Sequence, residues 1–353
     1  MQAARRAGLP VPEVIVYDDG EHLQTAGLVM ARIPGETIAR RILRDSEFVR
    51  ARQLLTGQLG AFLGGLHRID PVEVPGLAKT DALETLWSSY GTSDDRSPTF
   101  EAAHDWLVAN RPTDATTVIV HGDLRLGNVI VDADGLAAAI DWELVHVGDP
   151  LEDLAWLCTK AWRFGSSAPV AGVGELPELF EAYEAASGRT IDRQDFNWWL
   201  VLSALKWGIV CMAQAAAHLT GAVRSIELAT IGRRVAEQEW DLLELLAPNE
   251  LSAIRREARD DSASDDPGLY GRPTARELLE AVREYLSEDV VPATKGRLSF
   301  HARVAANAVA IVERELAMRE AHRARSAGST DWASLAAMVR DRLAVANPKH
   351  FDS

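Results

Sequence analysis

The chain has 353 residues, 47% of them hydrophobic, a formal net charge of −15 and two cysteines. That is enough apolar material for a main domain with a sizeable core and a smaller second one. An acidic balance without a basic stripe argues against a nucleic-acid partner and against attraction to anionic membranes.

Ser46 is placed as a cap before apolar residues at helical spacing from Glu47 to about His67. Helical patterns recur at Ala82 to Tyr90 and at Thr99 to Asn110, and Thr117 to Val120 reads as a strand. Val129 to Val131 reads as a second strand, Asp132-Ala-Asp-Gly135 as its turn, and Leu136 to Ile140 as the returning strand. After Asp149, a helix cap before Pro150, the pattern is nearly all helix: Leu151 to Trp162, Leu176 to Ser187, Asp192 to Leu219 and Val223 to Leu246. Trp198 to Leu219 is long and apolar, but Lys206, Gln214 and His218 interrupt it, so a buried bundle helix is expected instead of a membrane span. Ile254 to Pro267, rich in Arg, Asp and Ser, reads as a mobile charged linker. Beyond it, Thr274 to Leu286, Gly296 to His322 and Thr330 to Val345 are spaced for a small helical bundle, with Arg314 and Glu315 on a solvated face. Cys158 and Cys211 lie in apolar helical patterns and read as core thiols of a reducing compartment. The N-terminus has no secretion signature, and a cytoplasmic location is expected.

The most informative stretch is His121-Gly-Asp123-Leu-Arg125-Leu-Gly-Asn128, followed by Asp141-Trp-Glu143. Phosphoryl transfer from a nucleotide needs a carboxylate beside the attacking hydroxyl and oxygen ligands for magnesium. Asp123 is the candidate base. Asn128, five residues on, and Asp141, returned by the hairpin, are the candidate metal ligands. Glu143, two residues further on a segment read as extended, is either another ligand or a partner of loop backbone. Arg125 either neutralises phosphate or substrate charge or forms a structural ion pair. His121 is expected to orient the loop and not to accept a proton.

In these residues the chain resembles the aminoglycoside phosphotransferase family, over roughly Gly8 to Pro248. The wording HGDLRLGN and AIDWELVHVGDPLEDLAW is similar to the branch associated with acyl-CoA dehydrogenases, some of which phosphorylate hydroxyacyl-CoA. The resemblance implies an α+β, protein-kinase-like fold with a mainly helical C-terminal lobe, ATP and Mg2+ as cofactors, and a small-molecule hydroxyl as acceptor. It also implies a nucleotide contact at Met30, Ala31 and Arg32, with Gly35 ending the inter-lobe hinge.

The same resemblance divides the chain into a partial N-terminal lobe and hinge (1–45), a catalytic lobe (46–248), a linker (249–272) and an all-α accessory domain (273–353). The last resembles a domain of unknown function and is expected to serve dimerisation or partner docking. Lys79 is the first lysine, in an apparent loop, with no Gly-rich turn before it. The expectation is therefore an enzyme truncated by a late start codon, the rival being a pseudokinase-type scaffold.

Overall fold

The computed structural model describes residues 1–22, 24–91, 96–113, 116–255, 274–325 and 331–352. The chain is mixed α and β but mostly helical, and the described strands form three two-stranded antiparallel sheets. It divides into two compact units, 1–88 with 107–203, and 89–106 with 204–353. These units cut across the segment boundaries expected at 248 and 272, because residues 204–248 group with the C-terminal helices.

In chain order the first unit opens with α1 (Gln2–Arg6), then β1 (Val14–Asp18) paired with β2 (Gly27–Met30). Next come α2 (Ala39–Arg44) and α3 (Val49–Leu66). Leu55, Leu59, Phe62, Leu63 and Leu66 are buried along α3, an apolar stripe at helical spacing. Ser46 does not cap this helix. It sits inside a short 3-10 turn, Ser46–Phe48, and no side chain caps either element.

The chain passes between the units within α4 (Ala82–Tyr90) and α5 (Pro98–Ala109). The site-bearing part follows as β3 (Val118–Val120), β4 (Val129–Asp132), β5 (Gly135–Ala139), β6 (His146–Gly148), α6 (Pro150–Cys158) and α7 (Leu176–Ser187). A Cβ on Gly60 would lie 2.6 Å from the Leu179 carbonyl, and one on Gly64 2.6 Å from Ala186 Cβ, so these glycines let α3 and α7 approach closely. Asp149 caps α6 as expected, accepting from Leu151 N at 2.8 Å with Pro150 at the first helical position. Burial pushes the Asp149 carboxyl up to about 6. The helix ends earlier than its pattern suggests. Thr159 turns extended, and Lys160–Arg163 is a separate 3-10 turn.

The long α8 (Arg193–Leu219) meets the length and hydropathy of a membrane span, and 44% of its most apolar window is buried. Cys158 and Cys211 are buried and unpaired, and burial pushes both thiols up to about 12.

The helix expected from Val223 to Leu246 is two: α9 (Ile226–Ile231), capped by Ser225, and α10 (Val235–Leu246), with a 3-10 turn, Gly232–Arg234, between them. α11 (Pro248–Arg255) covers the start of the expected linker. Instead Leu251 and Ile254 join a core with Trp240 and Leu243 of α10. The rest of the expected linker lies outside the described residues. α12 (Ala275–Glu284) has a capping box between Thr274 and Glu277 and continues through a π-helical segment, Tyr285–Val290, into α13 (Val291–Ala293). α14 (Gly296–Arg325) and α15 (Trp332–Ala346) complete the unit, and Leu335, Val339 and Leu343 complete the core. Arg314 does not lie on a solvated face. It is half-buried, and its Nε donates to the Val345 carbonyl at 2.7 Å at the end of α15.

Candidate active site

β3 is fully buried and leads directly into His121. Gly122 follows with φ +82°, where a Cβ would lie 2.6 Å from the Leu144 carbonyl, so the tight turn requires glycine. The turn is held by a carboxylate from α6. Asp153 accepts from the backbone amides of His121 at 2.7 Å and Gly122 at 2.8 Å, and it lies 3.2 Å from His67 Nε2. His67 Nδ1 faces the Tyr183 hydroxyl at 3.0 Å. Burial alone would push Asp153 up, but the His67 bond and the His121 amide outweigh it and hold the carboxyl below the usual range. Burial also pushes the Tyr183 hydroxyl up to about 12.

His121 Nε2 lies 3.1 Å from the Ile140 carbonyl, and its ring packs on Trp142 at 4.7 Å. Burial lowers its pKa, so the neutral imidazole donates to the carbonyl just after β5 and orients the loop.

Asp123 projects from this clamped turn. Its Oδ1 accepts from Trp156 Nε1 at 2.7 Å and from Arg125 Nε at 3.1 Å. Its Oδ2 accepts from Asn128 Nδ2 at 2.6 Å, and the same nitrogen donates to the Asp123 carbonyl at 2.9 Å. Asn128 is buried at the end of the 3-10 turn Leu126–Asn128. With its nitrogen committed to Asp123, its oxygen is the atom it can offer a cation. The Arg125 guanidinium stands 4.8 Å from the Trp162 ring centroid, and Trp162 packs on Trp156 at 5.2 Å. Arg125 therefore makes the ion pair that was one of its two expected roles.

The hairpin brings the residue before Asp141 back to Asn128. β4 pairs with β5 in the register Val129↔Ala139, and one step further Ile140 N donates to the Asn128 carbonyl at 2.9 Å. Asp141 follows directly with φ +66°, a left-handed conformation that costs a non-glycine residue on the order of 1 kcal/mol. Its side chain is exposed and makes no hydrogen bond or ion pair among the described residues. Glu143 is exposed as well, but the segment is not extended: Glu143 and Leu144 form a turn closed by Val145 N on the Trp142 carbonyl at 3.3 Å. Strand alternation therefore does not align Glu143 with Asp141. Among the described residues no three His, Cys, Asp or Glu side chains gather as a metal cage.

The hinge segment is tied to the same hairpin. Glu36 and Val131 exchange backbone bonds at 2.8 and 2.9 Å, and Gly35 has φ +147°, where a Cβ would also meet Ile130 at 2.5 Å. Met30 and Arg32 are exposed on this segment, and neither side chain bonds to the catalytic loop. Lys79 lies in a loop bridged to Val147 of β6.

Sequence reading missed Asp153, His67 and Trp156. The available signal was a carboxylate and an indole three residues apart within α6, whose other residues are mostly apolar.

A sequence profile of the phosphotransferase enzyme family matches residues 1–199. The chain belongs to that family. A second profile, of a domain of unknown function, matches residues 292–332 of this phosphotransferase-family chain. It is 25% identical over 327 residues to acyl-CoA dehydrogenase family member 11 of Gallus gallus, a match covering 84% of this chain and 40% of that protein. Viomycin phosphotransferase of Streptomyces vinaceus is 29% identical over 141 residues, 36% of this chain and 48% of that protein. The chain thus spans well under half the length of the acyl-CoA dehydrogenase relatives it matches. A solved structure from Ralstonia eutropha, described as a candidate aminoglycoside phosphotransferase, superposes with a TM-score of 0.57 at 21% identity, covering 69% of this chain and 80% of that one. The likeness identifies the kinase-like fold.

Proposed function

We propose that this chain is an ATP- and magnesium-dependent phosphotransferase acting on a small-molecule hydroxyl. The observation that carries the reading is the arrangement of Asn128, whose nitrogen is held by the backbone and carboxylate of Asp123 while its backbone carbonyl accepts from Ile140, the residue just before Asp141.

Asp123 is the group that orients the acceptor and takes its proton. Oδ1 is occupied by Trp156 and Arg125, so the remaining lone pair on Oδ2 is the position for the hydroxyl. The donor set suits magnesium: the Asn128 amide oxygen and the Asp141 carboxylate are hard ligands, few in number, as expected for an ion that also keeps waters and phosphate oxygens. When bound, magnesium neutralises phosphate charge. Arg125 spends its Nε on Asp123 and retains further N–H groups for a phosphate or an anionic acceptor. The backbone of Met30–Arg32, on the segment tied to β4, is the adenine contact in this reading. A cytoplasmic setting and partners that are neither nucleic acid nor membrane belong to the same proposal.

The names of the relatives suggest two acceptor classes, an acyl-CoA bearing a hydroxyl and a cationic antibiotic. The cation beside the base favours the anionic class. A transfer assay with labelled ATP over both classes tests the proposal. Transfer should fall at least about 1,000-fold in Asp123→Asn with the melting temperature unchanged, and equal transfer by the variant refutes it. Binding of ATP with no transfer to either class would favour the scaffold reading instead.

A further inference from the structure

The second unit contains a hollow of about 430 Å³, within the size range of small-ligand sites. Three elements converge on it. The 3-10 turn before α10 supplies Arg233, α14 supplies Glu315, Arg319 and His322, and α15 supplies Arg342 and Val345. On α14 the spacing i, i+4, i+7 puts the three side chains on one face. One carboxylate holds two guanidinia: Glu315 accepts from Arg233 at 2.7 Å and from Arg319 at 3.0 Å. Arg342 bonds to the buried Glu239, and His322 Nε2 stands 3.8 Å from Asp341. The lining is thus net positive in a chain of net charge −15.

We propose that this hollow is a binding site for a phosphate group, as the free ion or as a phosphomonoester. Each of the three arginines spends one N–H on its carboxylate and has others to offer. Arg233 and Arg319 are roughly half-exposed and share the partly exposed Glu315, and ion pairs of that kind are worth no more than about 1 kcal/mol, so they do not commit these guanidinia; Arg342, also half-exposed, pairs with the buried Glu239 through one N–H and keeps its others. Glu315 stands where an anion would, bridging two guanidinia, but a carboxylate has only two oxygens. A phosphate has three acceptor oxygens and a higher charge, enough to engage Arg342 as well. The site is separate from the proposed phosphotransfer chemistry, and its α14 residues fall in the segment matched by the domain of unknown function.

Calorimetric titration of the whole chain with inorganic phosphate, with glycerol 3-phosphate, and with acetate as a carboxylate control tests the proposal. Phosphate should bind at least about tenfold more tightly than acetate. Glu315→Gln, which frees two guanidinia, should tighten phosphate binding about fivefold, and Arg319→Ala or Arg342→Ala should weaken it about tenfold or more. Glycerol 3-phosphate binding tighter than phosphate identifies the esterified source, and the reverse identifies the free ion. Phosphate binding that is absent, that survives both arginine variants, or that weakens in Glu315→Gln overturns the proposal. The glutamine variant and two independent arginine variants keep the outcome readable if one substitution impairs folding.

Discussion

Asp153 on α6 and Glu239 on α10 are both fully buried carboxylates, yet their protons are held in opposite ways. Asp153 receives two backbone amides and His67, and its pKa falls. Glu239 receives Ser97 at 2.7 Å and Arg342 on a single oxygen, while its Oε2 is buried without a hydrogen bond, and burial raises its pKa. The contrast shows what each carboxylate is for. The first fixes the backbone of a loop that presents Asp123. The second is a polar residue in helix packing, where partial satisfaction is tolerated.

The largest expected effect is on the first region. Asp153→Asn places an amide nitrogen against at least one backbone N–H or His67, and unfolding stability should fall by roughly 3–5 kcal/mol in a denaturant titration. A loss below about 1 kcal/mol would show that the clamp is dispensable. The pH sign follows. The stabilisation from Asp153 is present above the ordinary carboxylate pKa and is lost as pH falls through its lowered folded value.

A smaller effect is expected at Trp156, a buried side chain that donates to the base. Trp156→Phe keeps the ring but removes the 2.7 Å bond to Asp123, a charge-assisted bond worth about 1.5–3 kcal/mol. The transfer rate should drop roughly 10–100-fold in the labelled-ATP assay. An unchanged rate would mean that the indole only packs.

The smallest effect is expected at Glu239. Glu239→Gln should change stability by less than about 1 kcal/mol at neutral pH, because relief from burying a charge offsets the lost pairing with Arg342. The folded pKa lies above the ordinary value, so the parent loses stability as pH rises between the two. The variant should therefore gain on the parent from acid to neutral pH in paired melts. A pH-independent difference would contradict this.

What the sequence revealed follows the range of the interactions. The β4–β5 hairpin, its Asp-Gly turn and the Asp149 cap are set by neighbours a few residues apart, and they were legible. The clamp was not, because His67 and Tyr183 lie 86 positions before and 30 after Asp153, and their meeting depends on the packing of α3, α6 and α7. α11 was hidden by composition: the charged residues around Leu251 and Ile254 read as linker, whereas those two side chains are core. The extended reading of the segment from Asp141 to Glu143 failed for a local reason, since the left-handed Asp141 breaks the path that the i, i+2 argument needed.

The central claim is that Asn128 and Asp141 present oxygen to one divalent ion beside Asp123. The direct measurement is paramagnetic: manganese with ATP, titrated into the whole chain, with bound ion counted by electron paramagnetic resonance. The account predicts one tightly bound ion that is lost in Asp141→Asn and retained in Glu143→Gln. Manganese that binds equally well without the Asp141 carboxylate would contradict it.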